Sequence, residues 1–235
     1  MYYNGDIQFK SVSSATKGLT VTAPPLVTHS EIYGDVNTIP GRDGSVFGTD
    51  TYQGDAVIKV TFALVASSST TSDFQSKMRA IRSWLTGRGR LVIGDSTDSY
   101  YEVKKVKILT DNRVILNYGT LEVEFTIYPY EFLTTGDTGV TSFPLTNNAM
   151  ESKPLYKIVG TGSGTLTVNG HTMTYEVNGT LFIDTRRMIA YDSNNANKNS
   201  KVSGDYEGLY LINGSNSISA TVGTLTVYPK WGFTV

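Results

Sequence analysis

Apolar and polar residues alternate along most of this chain, and a beat of two restricts it to strands with one buried face. In DAVIKVTFALV (55–65), GRLVIGD (89–95), YYEVKKVKIL (100–109) and GTLEVEFTIYPY (119–130), β-branched or aromatic residues take every second position. In the last of these, Leu121, Val123, Phe125 and Ile127 share one face, and Glu122, Glu124 and Thr126 share the other. One segment departs from the beat. In TTSDFQSKMRAIRSWLTGRG (70–89), Phe74, Met78, Ile81 and Leu85 recur at steps of four, three and four, the buried stripe of a helix. Ser72 and Gln75 read as a capping box at its start, and Gly87 as its left-handed end. The expectation is a mainly β protein with one α-helix over 73–86.

The character changes after Tyr130. EFLTTGDTGVTSFPLTNNAMESKP (131–154) is rich in Gly, Thr, Asn and Pro and has no period, so it reads as a boundary between domains 1–135 and 136–235. Beyond it come short strand-like runs: LYKIVG (155–160), GTLTVNG (164–170), HTMTYEVNG (171–179), GTLFIDT (179–185), GLYLING (208–214), SISATVG (217–223) and GTLTVYPKWGF (223–233). Turn signals spaced about 8–12 residues apart indicate a β-sandwich. Asn-Gly at 169–170, 178–179 and 213–214 suits type I′ hairpins, whose central residues both need positive φ.

Composition removes whole classes of chemistry. There are no cysteines among the 235 residues, so disulfides, thiolate metal sites and cysteine nucleophiles are excluded, while the compartment stays open. Charged residues make up 17% and the net charge is −1, which does not suit a protein built to grip a nucleic-acid backbone. A hydrophobic share of 39%, with 15 Tyr and 9 Phe, supports packed cores. MYYNGDIQFK lacks a basic segment followed by an apolar block, so no signal peptide is expected. No apolar run approaches the ~20 residues of a membrane span. A soluble protein is the expectation.

Catalytic constellations are missing from the pattern. His29 follows a Pro-Pro turn and His171 follows Asn-Gly, neither in a strand-to-helix nucleophile elbow. Asp43, Asp50 and Asp55 are seven and five apart and do not match a calcium loop; Asp192 in YDSNNANKNSK (191–201) is a lone carboxylate in a solvated loop. Glu122 and Glu124, two apart on one strand face, read as surface charges rather than a glycosidase pair. GTGSG (160–164) lacks the GK[ST] of a phosphate loop and reads as a turn. Asn178 and Asn213 open glycosylation sequons, which matter only on a secretory route. No catalytic residue, cofactor or metal is expected.

Two features point to assembly instead. The loop IPGRDGSVFG (39–48) combines a φ-fixing Pro40, glycines free to take positive φ, and an Arg42-Asp43 pair offering both charges to a neighbour. The helix and the stretch after it carry Lys77, Arg79, Arg82, Arg88 and Arg90 with no acid from 74 to 90, a solvent face or a contact with an acidic neighbour, with a nucleic-acid contact well behind given the near-zero net charge. Pro40, Arg42, Asp43, Arg79 and Arg82 are the candidate oligomer contacts.

The order of these parts resembles the distal tail protein (Dit) family of siphophages, in a short form without an arm for receptor-binding proteins. The positions that carry the resemblance are Ile39-Pro40-Gly41-Arg42-Asp43-Gly44, the helix 73–86 with Trp84-Leu85, Tyr100-Tyr101 and Tyr128-Pro129-Tyr130. Later come Ser152-Lys153-Pro154, Leu181-Phe182-Ile183-Asp184, Gly214-Ser215-Asn216-Ser217-Ile218 and Tyr228-Pro229-Lys230-Trp231. The resemblance implies an N-terminal β-sandwich-like ring domain with one α-helix, followed by a C-terminal galectin-like β-sandwich. It also implies a non-enzymatic virion component at the tail tip or baseplate, made in the bacterial cytoplasm. Such a protein forms a homohexamer, single or as two stacked rings, between the tail tube protein and a tail-tip or tail-associated lysin protein. The genome would pass through the ring without specific nucleic-acid contact, and no membrane partner is implied. The loop 191–207 is too short for the long arm some relatives use, so direct holding of receptor-binding proteins is not expected. The alternative from another class is a carbohydrate-binding module at a bacterial surface. Trp231 lacks clustered Arg, His and Asn neighbours in sequence, so no sugar-binding residues are assigned.

Overall fold

The computed structural model describes residues 5–48, 52–65, 71–94, 96, 98–115 and 118–235. The chain is mainly β, with a single α-helix among the described residues, and divides into two compact units, 1–131 with 234–235, and 132–233.

The first unit contains β1 (Ile7–Phe9), β2 (Val12–Ser13), β3 (Leu19–Val21), β4 (Leu26–Thr28), β5 (Ile32–Tyr33), β6 (Val36–Thr38), β7 (Ser45–Phe47), β8 (Tyr52–Gln53) and β9 (Ala56–Val65). Then come α1 (Thr71–Trp84), β10 (Gly89–Ile93), β11 (Ser99–Ile115) and β12 (Tyr118–Leu133). One sheet runs in the order β2-β1-β10-β11-β12-β9-β3, with β4 also beside β9. The alternation in the sequence is what the sheet uses. Leu121 faces Phe62, Val123 faces Val60 and Phe125 faces Ile58 across the β12–β9 ladder, and each is at most 1% exposed. On the opposite face Glu124 sits across from Lys59 and pairs with it at 3.9 Å.

Helix α1 closes this core. Phe74, Met78, Ile81 and Leu85 are all buried, as their spacing predicts, and Trp84 joins them. Burying each such side chain contributes about 1.5–3 kcal/mol, far more than helix propensity. Gly87 takes φ 72°, the expected left-handed end. The helix begins at Thr71, however, so Ser72 lies inside its first turn rather than capping it; the capping position falls outside the described residues. Val235 also belongs to this core: its N–H donates to the Pro129 carbonyl at 3.0 Å, and its own carbonyl accepts from the Ser30 N–H at 3.0 Å.

The second unit contains β13 (Leu145–Asn147), β14 (Leu155–Val168), β15 (His171–Asp184), β16 (Ile189–Asp192), β17 (Val202–Gly204), β18 (Gly214–Asn216), β19 (Ile218–Ala220) and β20 (Thr224–Tyr228); β21 (Gly232–Thr234) follows and pairs with β12. Its centre is one hairpin of two 14-residue strands, β14 and β15, flanked by β16 and β17 on one side and by β19 and β20 on the other. Three sequence expectations are corrected here. GTGSG is not a turn but the middle of β14. Asn178-Gly179 lies inside β15, and Asn213-Gly214 leads into β18, so only Asn169-Gly170 forms a hairpin turn, at φ 50° and 89°. The four runs from 155 to 185 are therefore two strands, not four. Gly160, which reads as a break, is a strand position where another backbone comes close: it pairs with Gly179, and a Cβ on it would sit 2.8 Å from the Gly223 Cα.

Candidate assembly surface

Residues 30–48 and 52–54 build a two-stranded ribbon in two steps. At its base Ile32 pairs with Gln53 and Tyr33 with Tyr52; farther out Val36, Asn37 and Thr38 pair with Phe47, Val46 and Ser45. Asp35 and Glu31 carbonyls accept the Gly48 and Gly54 N–H groups at 2.6 and 2.8 Å, holding the two ladders in sequence. The tip is IPGRDG itself. Gly41 and Gly44 take φ 84° and 81°, and the Arg42 N–H closes the turn onto the Ile39 carbonyl at 3.1 Å. Thr49, Asp50 and Thr51 lie outside the described residues.

The ribbon gathers six of the exposed large apolar side chains on one short stretch. Tyr52 is 68% exposed, Val36 58%, Ile32 56% and Phe47 50%, with Tyr33 and Ile39 also exposed. Val36 and Phe47 are direct cross-strand partners, so their exposed side chains form one patch. A two-stranded ribbon is marginal in water by itself and stabilises only when a face is covered. Clustered exposed aromatics and β-branched residues mark an interaction surface rather than the ordinary scatter of surface apolar groups.

The five candidate contact residues fall on two elements. Pro40, Arg42 and Asp43 are exposed at the ribbon tip. Arg79 and Arg82 are exposed on α1; the Arg82 Nε donates to the Asp111 Oδ2 at 2.9 Å, so its charge is already engaged within the chain. The Arg90 guanidinium lies 3.6 Å over the Tyr100 ring, and that of Arg113 lies 5.1 Å over Phe74. What sequence reasoning missed is the length of the ribbon on either side of the 39–48 loop and its exposed apolar face. Its signal was present: apolar residues at 32, 33, 36, 39, 46, 47 and 52, broken by glycines at 34, 48 and 54, form strands too short to close a core.

His29 and His171 are both exposed. Among the described residues no three His, Asp or Glu side chains cluster as metal ligands. The Asp192 carboxylate accepts the Ala196 and Asn194 N–H groups at 2.9 Å and meets Lys198 at 3.3 Å; the Ala196 bond foremost holds its pKa below the usual carboxylate range. It caps its own loop. A hollow of about 480 Å³ in the second unit is lined by Thr165, Tyr175, Glu176, Lys201 and Ser203, and the Glu176 carboxylate there is held by Lys201 at 2.7 Å. Trp231 packs, partly buried, against the second unit's core.

Residues 12–127 match the family model of the phage tail protein RIFT-related domain. No curated protein matches the sequence. The crystal structure of Dit from phage SPP1, described as a paradigm of the hub adsorption apparatus in phages infecting Gram-positive bacteria, superposes with a TM-score of 0.71. That likeness covers 96% of this chain and 98% of that one at 14% identity. A chain of the phage P2 baseplate in its activated, calcium-bound conformation gives a TM-score of 0.53 at 10% identity, covering 98% of both chains. At these identities the likeness is one of fold. Residues 12–127 thus match a phage tail protein domain family, and nearly the whole chain takes a fold like that of SPP1 Dit.

Proposed function

We propose that six copies of this chain close into the hub ring of a siphophage baseplate, joining the tail tube to the tail-tip and host-adsorption proteins. In this reading residues 1–135 form the ring and residues 136–235 are carried by it. A ring requires each copy to present two unlike patches that meet in rotation. The exposed apolar ribbon of residues 30–54 is the observation that carries the proposal, because it supplies one such patch and is marginal while uncovered. Pro40, Arg42 and Asp43 at its tip are contact residues, and Arg79 and Arg82 stand on the facing copy. The role is structural and asks for no catalysis.

Electron microscopy of the purified full-length chain tests this. Particles with six copies around a central hole are expected. Particles of any other symmetry, or monomers alone at micromolar concentration, contradict it.

A further inference from the structure

We propose that the ribbon of one copy docks on the α1–β11 surface of the next copy. The inference rests on the ring reading above and deepens it by naming the receiving face.

Charge is sorted between these two regions although the chain is nearly neutral. Residues 30–55 carry Glu31, Asp35, Asp43, Asp50 and Asp55 against Arg42 alone. Residues 71–115 carry nine cations, among them Lys77, Arg79, Lys105 and Lys107, against five acids. The two regions are thus net −4 and +4 by sequence, and −3 and +3 once the Lys104–Asp55 ion pair within the chain is set aside. Like regions of two copies repel and unlike regions attract, which selects a head-to-tail contact over a symmetric dimer.

The receiving surface is also open where the ribbon needs backbone partners. β10 pairs with β11 only from Val103 back to Tyr101, and β11 runs on to Ile115. Among the described residues β11 pairs with β10 and β12 alone, so beyond Val103 one edge of β11 has no strand beside it. Lys105 and Lys107 are exposed along this stretch, as is Val114 at 55%. Cations on a free edge keep it from pairing with a copy of itself, yet they attract an acidic strand. The ribbon offers such a strand: β6 and β7 pair with each other and with nothing else described, and Asp35 adjoins β6. Strand addition supplies backbone bonds, and the Val36–Phe47 patch supplies apolar burial.

The chain has no cysteine, and a photo-reactive benzoylphenylalanine at Phe47 tolerates imprecise register, so the contact can be mapped directly. Full-length protein carrying this group is mixed with isotope-labelled copies, allowed to assemble and irradiated, and the cross-linked peptides are sequenced. Cross-links from position 47 to peptides of residues 71–115, joining labelled to unlabelled copies, are expected. Assembled particles whose cross-links map elsewhere, or only within a copy, overturn this docking and leave the ring reading standing. Protein that never assembles overturns both. In parallel, Asp35→Lys should raise the half-assembly concentration about tenfold or more, and adding Lys105→Asp and Lys107→Asp should restore it. If each change weakens assembly and their combination only worsens it, the proposed pairing of charges is wrong.

Discussion

The Tyr33 and Tyr52 rings stack across the base of the ribbon with centroids 5.6 Å apart and planes 25° from parallel, yet Tyr52 remains 68% exposed. The pair holds two short strands in register without burying them. Such an arrangement spends aromatic surface on shape rather than on a core, which makes sense where a second surface covers it later. A stable subunit and a separately replaceable contact follow from that division, and the predictions below use it.

Replacing the ribbon tip should weaken assembly without disturbing the fold. Arg42→Ala with Asp43→Ala removes two exposed charges, each worth about 0–1 kcal/mol at a rim. The half-assembly concentration, read by sedimentation, should rise severalfold while the melting transition stays within about 0.5 kcal/mol of the parent. An unchanged oligomer distribution removes the tip from the interface.

The Trp84 indole Nε1 donates to the buried Phe9 carbonyl at 3.0 Å, and its ring meets the Phe9 ring edge-on at 6.2 Å. Trp84→Phe keeps most of the apolar fill but leaves that carbonyl unpaired, at a cost of about 1–3 kcal/mol. Trp84→Ala should cost about 3–5 kcal/mol. Urea unfolding followed by a probe in the first unit measures both, and a Trp84→Phe variant as stable as the parent would show the hydrogen bond contributes nothing.

The first unit's core was legible because its strands and helix each bury one face. Leu121, Val123, Phe125 and Ile127 announce a strand, and Phe74, Met78, Ile81 and Leu85 announce a helix, by spacing alone. The second unit was harder to read, since its glycines look like breaks. Gly160 and Gly179 punctuate the sequence but sit opposite one another within two continuous strands; the missing side chain of Gly160 lets the Gly223 backbone approach, and Gly179 takes φ 91°. Local propensity cannot foresee that, because the reason for the glycine lies in a distant segment. The ribbon escaped for the opposite reason. Its apolar residues look like core positions, and only tertiary structure shows that no core lies beneath Val36 and Phe47.

That distant packing gives a test in the second unit. Gly223 has φ 85°, and an added Cβ would lie 2.7 Å from the Val159 carbonyl oxygen. Gly223→Ala should destabilise the second unit by more than about 1 kcal/mol, from positive φ alone, with the backbone clash in addition. Hydrogen exchange should show loss of protection in β14 and β20 and none in β9 or β12. Unchanged protection throughout would mean the turn relaxes freely.

Two buried tyrosines set the alkaline limit. Burial, reinforced by the charge of Glu131 and a hydrogen bond to it, pushes the Tyr101 phenol up to about 12 from 10. Burial also raises Tyr156, whose hydroxyl donates to the Leu209 carbonyl at 2.7 Å. Both folded values exceed the unfolded one, so this stability is fully present below pH 10 and is lost as pH rises toward 12. Tyrosinate absorbance should therefore show a late component that coincides with unfolding. Tyr101→Phe should move the midpoint of alkaline unfolding upward, and a midpoint that does not move would exclude Tyr101 as a cause.

The central claim is that identical copies are joined through the ribbon. Native mass spectrometry of the full chain, beside a variant in which residues 35–48 are replaced by an Asn-Gly turn, tests it most directly. The account predicts six copies or a multiple of six for the parent and folded monomers for the variant. A monomeric parent, or a variant that assembles as well as the parent, would contradict it.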